Sequence, residues 1–309
     1  MYSVILELLP FILIILSGVI IEKSQILGTE GYKVLNKFAY YLGVPALLFS
    51  SFATASITFS SYENYSIAFI LSMLGLYIPI FSYVFYKTKN INLATLASLG
   101  SVFPNSGFIG IPILFILFRQ EGVITAALST LLTLIPFSLA IIILERNKYG
   151  MQKAFLQTLL RIVRNPLLYG AAAGILISYA NLHLPHFILK TTHLLGEAGV
   201  PCALLGIGQM LVIFRVRNLS ALIVPVVIKL ILHPLIAFYL FYLFNIEPNL
   251  LTMGVVLASL PTAVMQSILA FEFETYQAES SGLVMLSTVC SFISLPIILY
   301  FMQDIATSF

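Results

Sequence analysis

Tryptophan is absent from this sequence, aspartate occurs once, at Asp304, and charged residues make up 9% of the chain. Soluble domains carry about 25% charged residues, so this chain cannot coat itself for water. The same scarcity removes most enzyme chemistry. No nucleotide-binding loop, zinc-hydrolase pair or intramembrane pair of aspartates is present, and an enzyme reading has almost nothing to stand on. Cysteine is scarce too. Cys202 and Cys290 both sit in apolar runs, where they read as small buried residues rather than a disulfide and leave the redox compartment undecided. The net charge of +3 says little until the charges are placed, and no nucleic-acid partner is expected.

What the chain does have is hydrophobicity, 60% of its residues with a mean hydropathy of +1.04. Apolar runs of ~20 residues joined by short polar connections predict one polytopic helical bundle. Spans are expected at about 4–21, 33–53, 65–86, 92–118, 123–144, 166–180, 192–214, 220–244, 251–272 and 280–302. Barrel strands would be ~10 residues long with alternating polarity, and these runs are neither. The first run, "MYSVILELLPFILIILSGVIIEKS", has no basic leader and no small-residue cleavage site. It reads as a retained first span.

The basic residues set the orientation. Connections after odd-numbered spans hold Lys23, Lys33, Lys37, Lys87, Lys89, Arg146, Lys148, Lys153, Arg161, Arg164, Arg215 and Arg217, against Arg119 and Lys190 after even-numbered ones. The bias predicts external termini and a cytoplasmic 145–165 connection in a multi-pass protein of the cell membrane. Within that connection Lys153, Gln157, Arg161 and Arg164 share one helical face, with Phe155, Leu159, Ile162 and Val163 largely opposite. Two readings fit: an amphipathic helix on the inner leaflet, or a plain continuation of the sixth span.

The two halves of the chain echo each other. A shift of 156 residues lays Pro10 on Pro166, Gly18 on Gly174, Pro45 on Pro201, and "GVPALL" at 43–48 on "GVPCALL" at 199–205. One residue more lays Pro104 on Pro261. Five spans per copy is an odd number, so the second copy must enter the membrane inverted. The expected organisation is a first repeat over 1–145, a connection over 146–165 and a second repeat over 166–309. Inverted repeats with a helix broken at the same place in each mark secondary transporters.

Both breaks are visible. Residues 102–112, "VFPNSGFIGIP", interrupt span four with two prolines, two glycines and an asparagine, and Pro261 interrupts span nine. A helix broken near the midplane is tolerated only beside protein or a wet cavity. Each restarting half presents free N–H groups and a positive dipole end, which suits a carboxylate. Asn105 can cap its half-helix or donate to the ligand. Pro104, Ser106, Gly107, Pro261, Thr262 and Gln266 complete the expected substrate site. The bland alternative is two proline kinks packed between neighbours.

"FPNSGFIGIPIL" resembles the fourth-span motif of the auxin efflux carrier family, which includes bacterial malate and malonate permeases and the plant PIN carriers. "RNPLLYGAAAGILI", "LLGEAGVPCALLGIGQML", "SLPTAVMQSILAFEFE" and "LVMLSTVCSFISLPIIL" extend the resemblance over nearly the whole chain. It implies an all-α fold of ten transmembrane helices, two inverted five-helix repeats with crossed broken helices 4 and 9, related to the bile acid/sodium symporters. Spans 1, 2, 6 and 7 would form a scaffold, and spans 3–5 and 8–10 an elevator-like transport unit. It implies a substrate-contacting asparagine at Asn105 and a second crossover proline at Pro261. The family often has an asparagine after the second crossover; this chain has "VMQS" there, which puts Gln266 in that role only imperfectly. The expected function is transport of small organic anions such as malate, malonate or auxin-like acids. A channel-like pore or a membrane sensor on the same fold is the alternative.

Other polar residues admit two readings each. Lys229, about nine residues into span eight, either snorkels to the surface, or faces the cavity and lends positive charge to an anion, or occupies the place of a coupling cation. His233 follows on the same face and suits titration near neutral pH. Glu272 resembles a family glutamate but reads first as an interfacial residue. His183, His186 and His193 are too irregularly spaced to make a convincing metal site, and neither metal nor cofactor is expected. Sodium or proton coupling is not legible. "GAAAG" at 170–174 suits close helix packing, inside the bundle in preference to a dimer seam, with a homodimer through the scaffold helices left open.

Overall fold

The computed structural model describes residues 2–28, 30–54, 62–182, 184–213 and 219–308. Arg215, Arg217 and His183, used above, lie outside them. Apolar runs in lipid have no water to satisfy their N–H and C=O groups, so each closes its hydrogen bonds along its own axis. Helix α1 covers Tyr2–Ser24. Helix α2 (Gly31–Phe38) runs through a π turn, Ala39–Gly43, into α3 (Val44–Ala53). Helix α4 covers Glu63–Thr88 and ends on Lys89 in the left-handed conformation. Helix α5 (Ile91–Val102) starts at Asn90, whose side chain accepts from the Leu93 N–H at 3.0 Å, one of the orphan donors of a first turn.

After an irregular stretch the chain resumes as a π turn, Ser106–Gly110, and α6, Ile111–Tyr149. Arg119, at φ 53° and ψ −132°, breaks α6. A Cβ on Gly122 would meet the Leu114 backbone carbonyl, so the chain doubles back there. The turn falls between expected spans four and five, and Gln120 pins it by donating to the Ser51 carbonyl at 2.9 Å.

Helix α7 (Met151–Val163) meets α8 (Pro166–Tyr179) at a bend of 55°. Asn165 caps α8, accepting from Leu167 N–H at 3.0 Å, with Pro166 at the first helical position. Proline there fits because that position needs no N–H. The bend makes α7 a separate amphipathic helix, not a straight extension of the sixth span. The chain continues as α9 (His186–Ile213) and α10 (Leu219–Val227). A π turn, Ile228–Leu232, leads into α11 (His233–Leu243), followed by α12 (Pro248–Ala258), α13 (Val264–Glu272) and α14 (Gln277–Ser308).

Five stretches among the described residues are long and apolar enough to cross a membrane: Glu63–Thr88, Ser106–Arg146, His186–Ile213, Leu219–Leu243 and Gln277–Met302. Helices α7 and α8 taken together make a sixth, and α5 and α12 are shorter apolar helices. Large apolar side chains such as Ile78, Tyr86, Leu176, Tyr179 and Val224 stand exposed on these helices, as a lipid-facing surface requires. The chain is an all-helical membrane protein.

Packing pairs distant parts of the chain. Helix α1 lies along α9, and α8 lies along α3; α4 packs on α5 and α11, and α12 on α11 and α14. Backbones touch at glycines. Gly18 abuts the Leu205 carbonyl and Gly174 the Phe49 carbonyl, while Gly43 and Gly199 meet face to face. No Cβ fits in any of these contacts, which is why small residues recur on these faces. In the core, the Tyr65 ring stacks on Phe241 with centroids 5.2 Å apart, and the Tyr65 hydroxyl lies 2.6 Å from Ser129 Oγ. These contacts join α4, α11 and α6.

Candidate functional site

The two helix interruptions meet. Helix α5 ends at Phe103 in an extended conformation, and α12 ends at Ser259, leaving Leu260–Ala263 outside any helix, with Ala263 extended, before α13. The extended strands pair through an antiparallel bridge between Pro104 and Thr262. Asn105 N–H donates to the Pro261 carbonyl and Ala263 N–H to the Phe103 carbonyl, both at 2.9 Å. The bridge uses backbone groups that the breaks would otherwise leave unsatisfied inside the bilayer. The proline at each break, with no N–H, is spared from finding a partner.

The carbonyl of Asn105 accepts from Ile109 and Gly110 N–H at 3.0 and 3.1 Å. The N–H groups of Ser106, Gly107 and Phe108 precede the first intrahelical donor, and no backbone carbonyl outside their own turn accepts from them among the described residues. The Asn105 amide makes no bond to its own first turn. Of the two roles open to it, cap or ligand donor, the cap is not taken up. Ser106 Oγ is buried without a partner.

Pro104, Asn105, Ser106 and Gly107 line a cavity of about 330 Å³. Its apolar wall includes Phe103, Phe108 and Phe137, and Thr130 and Thr133 come from α6. Tyr40 also lines it, as do Arg161, Arg164 and Asn165 around the α7–α8 bend. Tyr40 Oη donates to Asn165 Oδ1 at 3.3 Å, and its ring stacks on Phe108.

The remaining expected site residues lie elsewhere. Thr262 Oγ1 donates to the Gly100 carbonyl at 2.8 Å and Gln266 Nε2 to the Leu96 carbonyl at 2.6 Å. Both residues are fully buried and brace α13 against α5 behind the bridge. Pro261 contributes its carbonyl to the bridge. Lys229 does not reach the surface: its Nζ donates to the Ala258 carbonyl at 2.7 Å and stands 3.3 Å from His233 Nδ1. Glu272 accepts from both terminal nitrogens of Arg161, which also donates to the buried Glu145 at 3.1 Å. His193 Nδ1 lies 3.5 Å from Glu197.

Tyr40, Thr130, Thr133, Arg164 and Asn165 are the cavity residues that motif reading passed over. The signal was present for two of them. "RNP" at 164–166 puts a cation and a capping amide at the start of a span. The others are single polar residues in apolar runs and become legible only once the helices are assembled.

A helical membrane bundle whose two interrupted helices meet beside a polar-ended cavity is the architecture of a membrane transporter. A family model described as "Membrane transport protein" matches residues 3–299, and the chain belongs to that family, the auxin efflux carriers. A "Putative malonate transporter" of Rhizobium meliloti is 24% identical over 96% of this chain and 95% of its own length. An "Uncharacterized transporter" of Methanothermobacter thermautotrophicus is 25% identical over 94% of this chain and 95% of its own. The "Uncharacterized transporter YfdV" of Escherichia coli is 21% identical over 95% and 96%.

Proposed function

We propose that this chain carries small organic carboxylates across the cell membrane by alternating access. The observation behind this reading is the unpartnered donor set at the restart of the broken helix. The Asn105 amide, the Ser106 hydroxyl and the first-turn N–H groups of 106–108 face one end of a 330 Å³ cavity. A carboxylate there takes up donors that would otherwise stay unsatisfied, at the positive end of a helix dipole. Arg164 adds positive charge to the same cavity, while Arg161 is neutralised by Glu145 and Glu272. A cavity of this size suits a ligand of a few carbons, with the aromatic wall beside its apolar part. The malonate named for the Rhizobium relative is a natural first probe.

The alternating-access part rests on inverted repeats, ten spans in two copies of five. The contacts support it. Gly18–Leu205 and Gly174–Phe49 are one contact made twice, each pair carried to the other by the 156-residue shift. Gly43 and Gly199 are mates under that shift and touch each other, as residues on a pseudo-two-fold axis do. In this reading spans 1, 2, 6 and 7 are the scaffold, and spans 3–5 and 8–10 slide as an elevator carrying the crossover. The termini are external and α7 is cytoplasmic.

The test is exchange of labelled malonate, malate and phenylacetate in proteoliposomes, with their amides as controls, alongside ligand-induced thermal stabilisation. Saturable exchange of acids and not of amides is expected. Unitary conductance would point to a channel, and binding without movement to a sensor. Amides acting as well as acids would sink the anion site.

A further inference from the structure

Lys229 and His233 take no part in the cavity, yet both are fully buried. Lys229 sits in the π turn Ile228–Leu232 and His233 begins α11; single π turns inside helices frequently accompany functional sites. Lys229 Nζ donates to the Ala258 carbonyl at 2.7 Å and is 3.3 Å from His233 Nδ1. His233 Nε2 is 3.4 Å from Ser72 Oγ, which donates on to the Phe69 carbonyl at 2.7 Å.

Among the described residues no ion pair reaches them. Helices α5, α10 and α12 contain no titratable side chain. Helix α4 presents Ser72, and the acidic residue of α14's first turn is Glu279, which makes no ion pair with either. The titratable group that each of the two touches is the other, Nζ to Nδ1 at 3.3 Å. An ion buried without a partner is costly, and packing alone does not call for one. The positions that the 156-residue shift lays opposite Lys229 and His233 are Met73 and Tyr77. The cation is supplied on one side of the crossover only.

Lys229 is also tied to the substrate end. Its acceptor, Ala258, closes α12, and three residues later the Pro261 carbonyl accepts from Asn105 N–H at 2.9 Å. We infer that Lys229, with His233 as relay, is a proton-binding site that loads one proton with each carboxylate bound at the crossover. The inference rests on the transport reading above. A protonated Nζ and a bound carboxylate sum to zero charge, and a neutral unit crosses the apolar core more readily than a bare anion. On release, Lys229 passes a proton to His233 Nδ1, and the proton of Nε2 leaves on its Ser72 side with water as the final acceptor. The amine and the imidazole both end neutral. By linkage, carboxylate binding then favours protonation and protonation favours carboxylate binding.

The full-length protein in proteoliposomes tests this, with the same three labelled carboxylates and protein-free vesicles as the blank. An acid-outside gradient of one pH unit should raise accumulation by about tenfold at one proton per monoanion. In Lys229→Arg the cap on Ala258 can persist while the guanidinium cannot deprotonate, so the gradient should drive no accumulation; His233→Gln should lose it as well. If wild-type accumulation ignores the gradient, or accumulation by Lys229→Arg and His233→Gln remains fully driven by it, the proton site is refuted and the transport reading survives. If the wild type exchanges none of the three acids, the transport reading falls and takes the proton site with it. Should either variant fail to fold, the wild-type gradient measurement together with the other variant still decides.

Discussion

Thr262 and Gln266 lie as close to the break as Asn105, but their donors are spent on the carbonyls of Gly100 and Leu96. Substitutions should therefore separate. Asn105→Ala should weaken carboxylate binding by about 1–3 kcal/mol, the worth of a hydrogen bond to a charged group, with the thermal midpoint of the ligand-free protein little changed. Thr262→Val should lower that midpoint, because it leaves the buried Gly100 carbonyl unpaired at about 1–3 kcal/mol, and Gln266→Leu should lower it less, because the Leu96 carbonyl keeps its bond inside α5. Binding isotherms and thermal unfolding of the three variants check both halves. Gly43→Ala makes a different demand. Its methyl group would collide with Gly199, and parting the two backbones should cost about 1–3 kcal/mol, read as a lower unfolding temperature.

At the scale of elements, α7 turns Arg161 towards the protein and much of its apolar side outward. Arg161 reaches Glu145 at the end of α6 and Glu272 at the end of α13, while Phe155, Leu156 and Leu159 are exposed. The three-way ion cluster ties the connection between the halves to two helices on either side of the crossover. Its members are unequal. The Glu145 side chain is 2% exposed and that of Glu272 43%. Glu272→Gln should cost at most about 1 kcal/mol, as exposed pairs do. Arg161→Gln strands a buried carboxylate and should cost more, about 3 kcal/mol, and chemical unfolding of the two variants compares them.

The elements themselves were largely legible. Proline, glycine and asparagine in apolar runs revealed both breaks, and the turn at Arg119 followed from polar residues, while the α7–α8 bend decided between two readings that the sequence left open. The cover of the site was not, because Tyr40, Arg164 and Asn165 come to Asn105 from far along the chain. The depth of Lys229 could be counted, but its direction depended on where α12 ends. Glu272 read as interfacial because nothing in its own segment announces Arg161, 111 residues away.

For the whole molecule, orientation is the coarsest prediction. Single cysteines at Ser3, Gln152 and Ser308, in a background without Cys202 and Cys290, should label from outside intact cells at positions 3 and 308. Fast labelling at 152 alone would invert the topology. The substrate's charge gives a second check. Stabilisation by carboxylates should fade as the medium is acidified through the acid's own titration, provided the ligand-free protein stays folded over that range.

The joint between the broken helices has a further consequence. It is closed by peptide groups, Asn105 to Pro261 and Ala263 to Phe103, and peptide groups do not mutate. Phe103 and Ala263 can be exchanged for other residues of fitting size without loosening the clasp, since what they give it is main chain. A saturation library scored for correct membrane insertion should find positions 103 and 263 permissive and 104 and 261 strict, because only there does a change of residue restore an N–H with nowhere to go. A lineage built this way can rewrite most of its letters and keep its hinge.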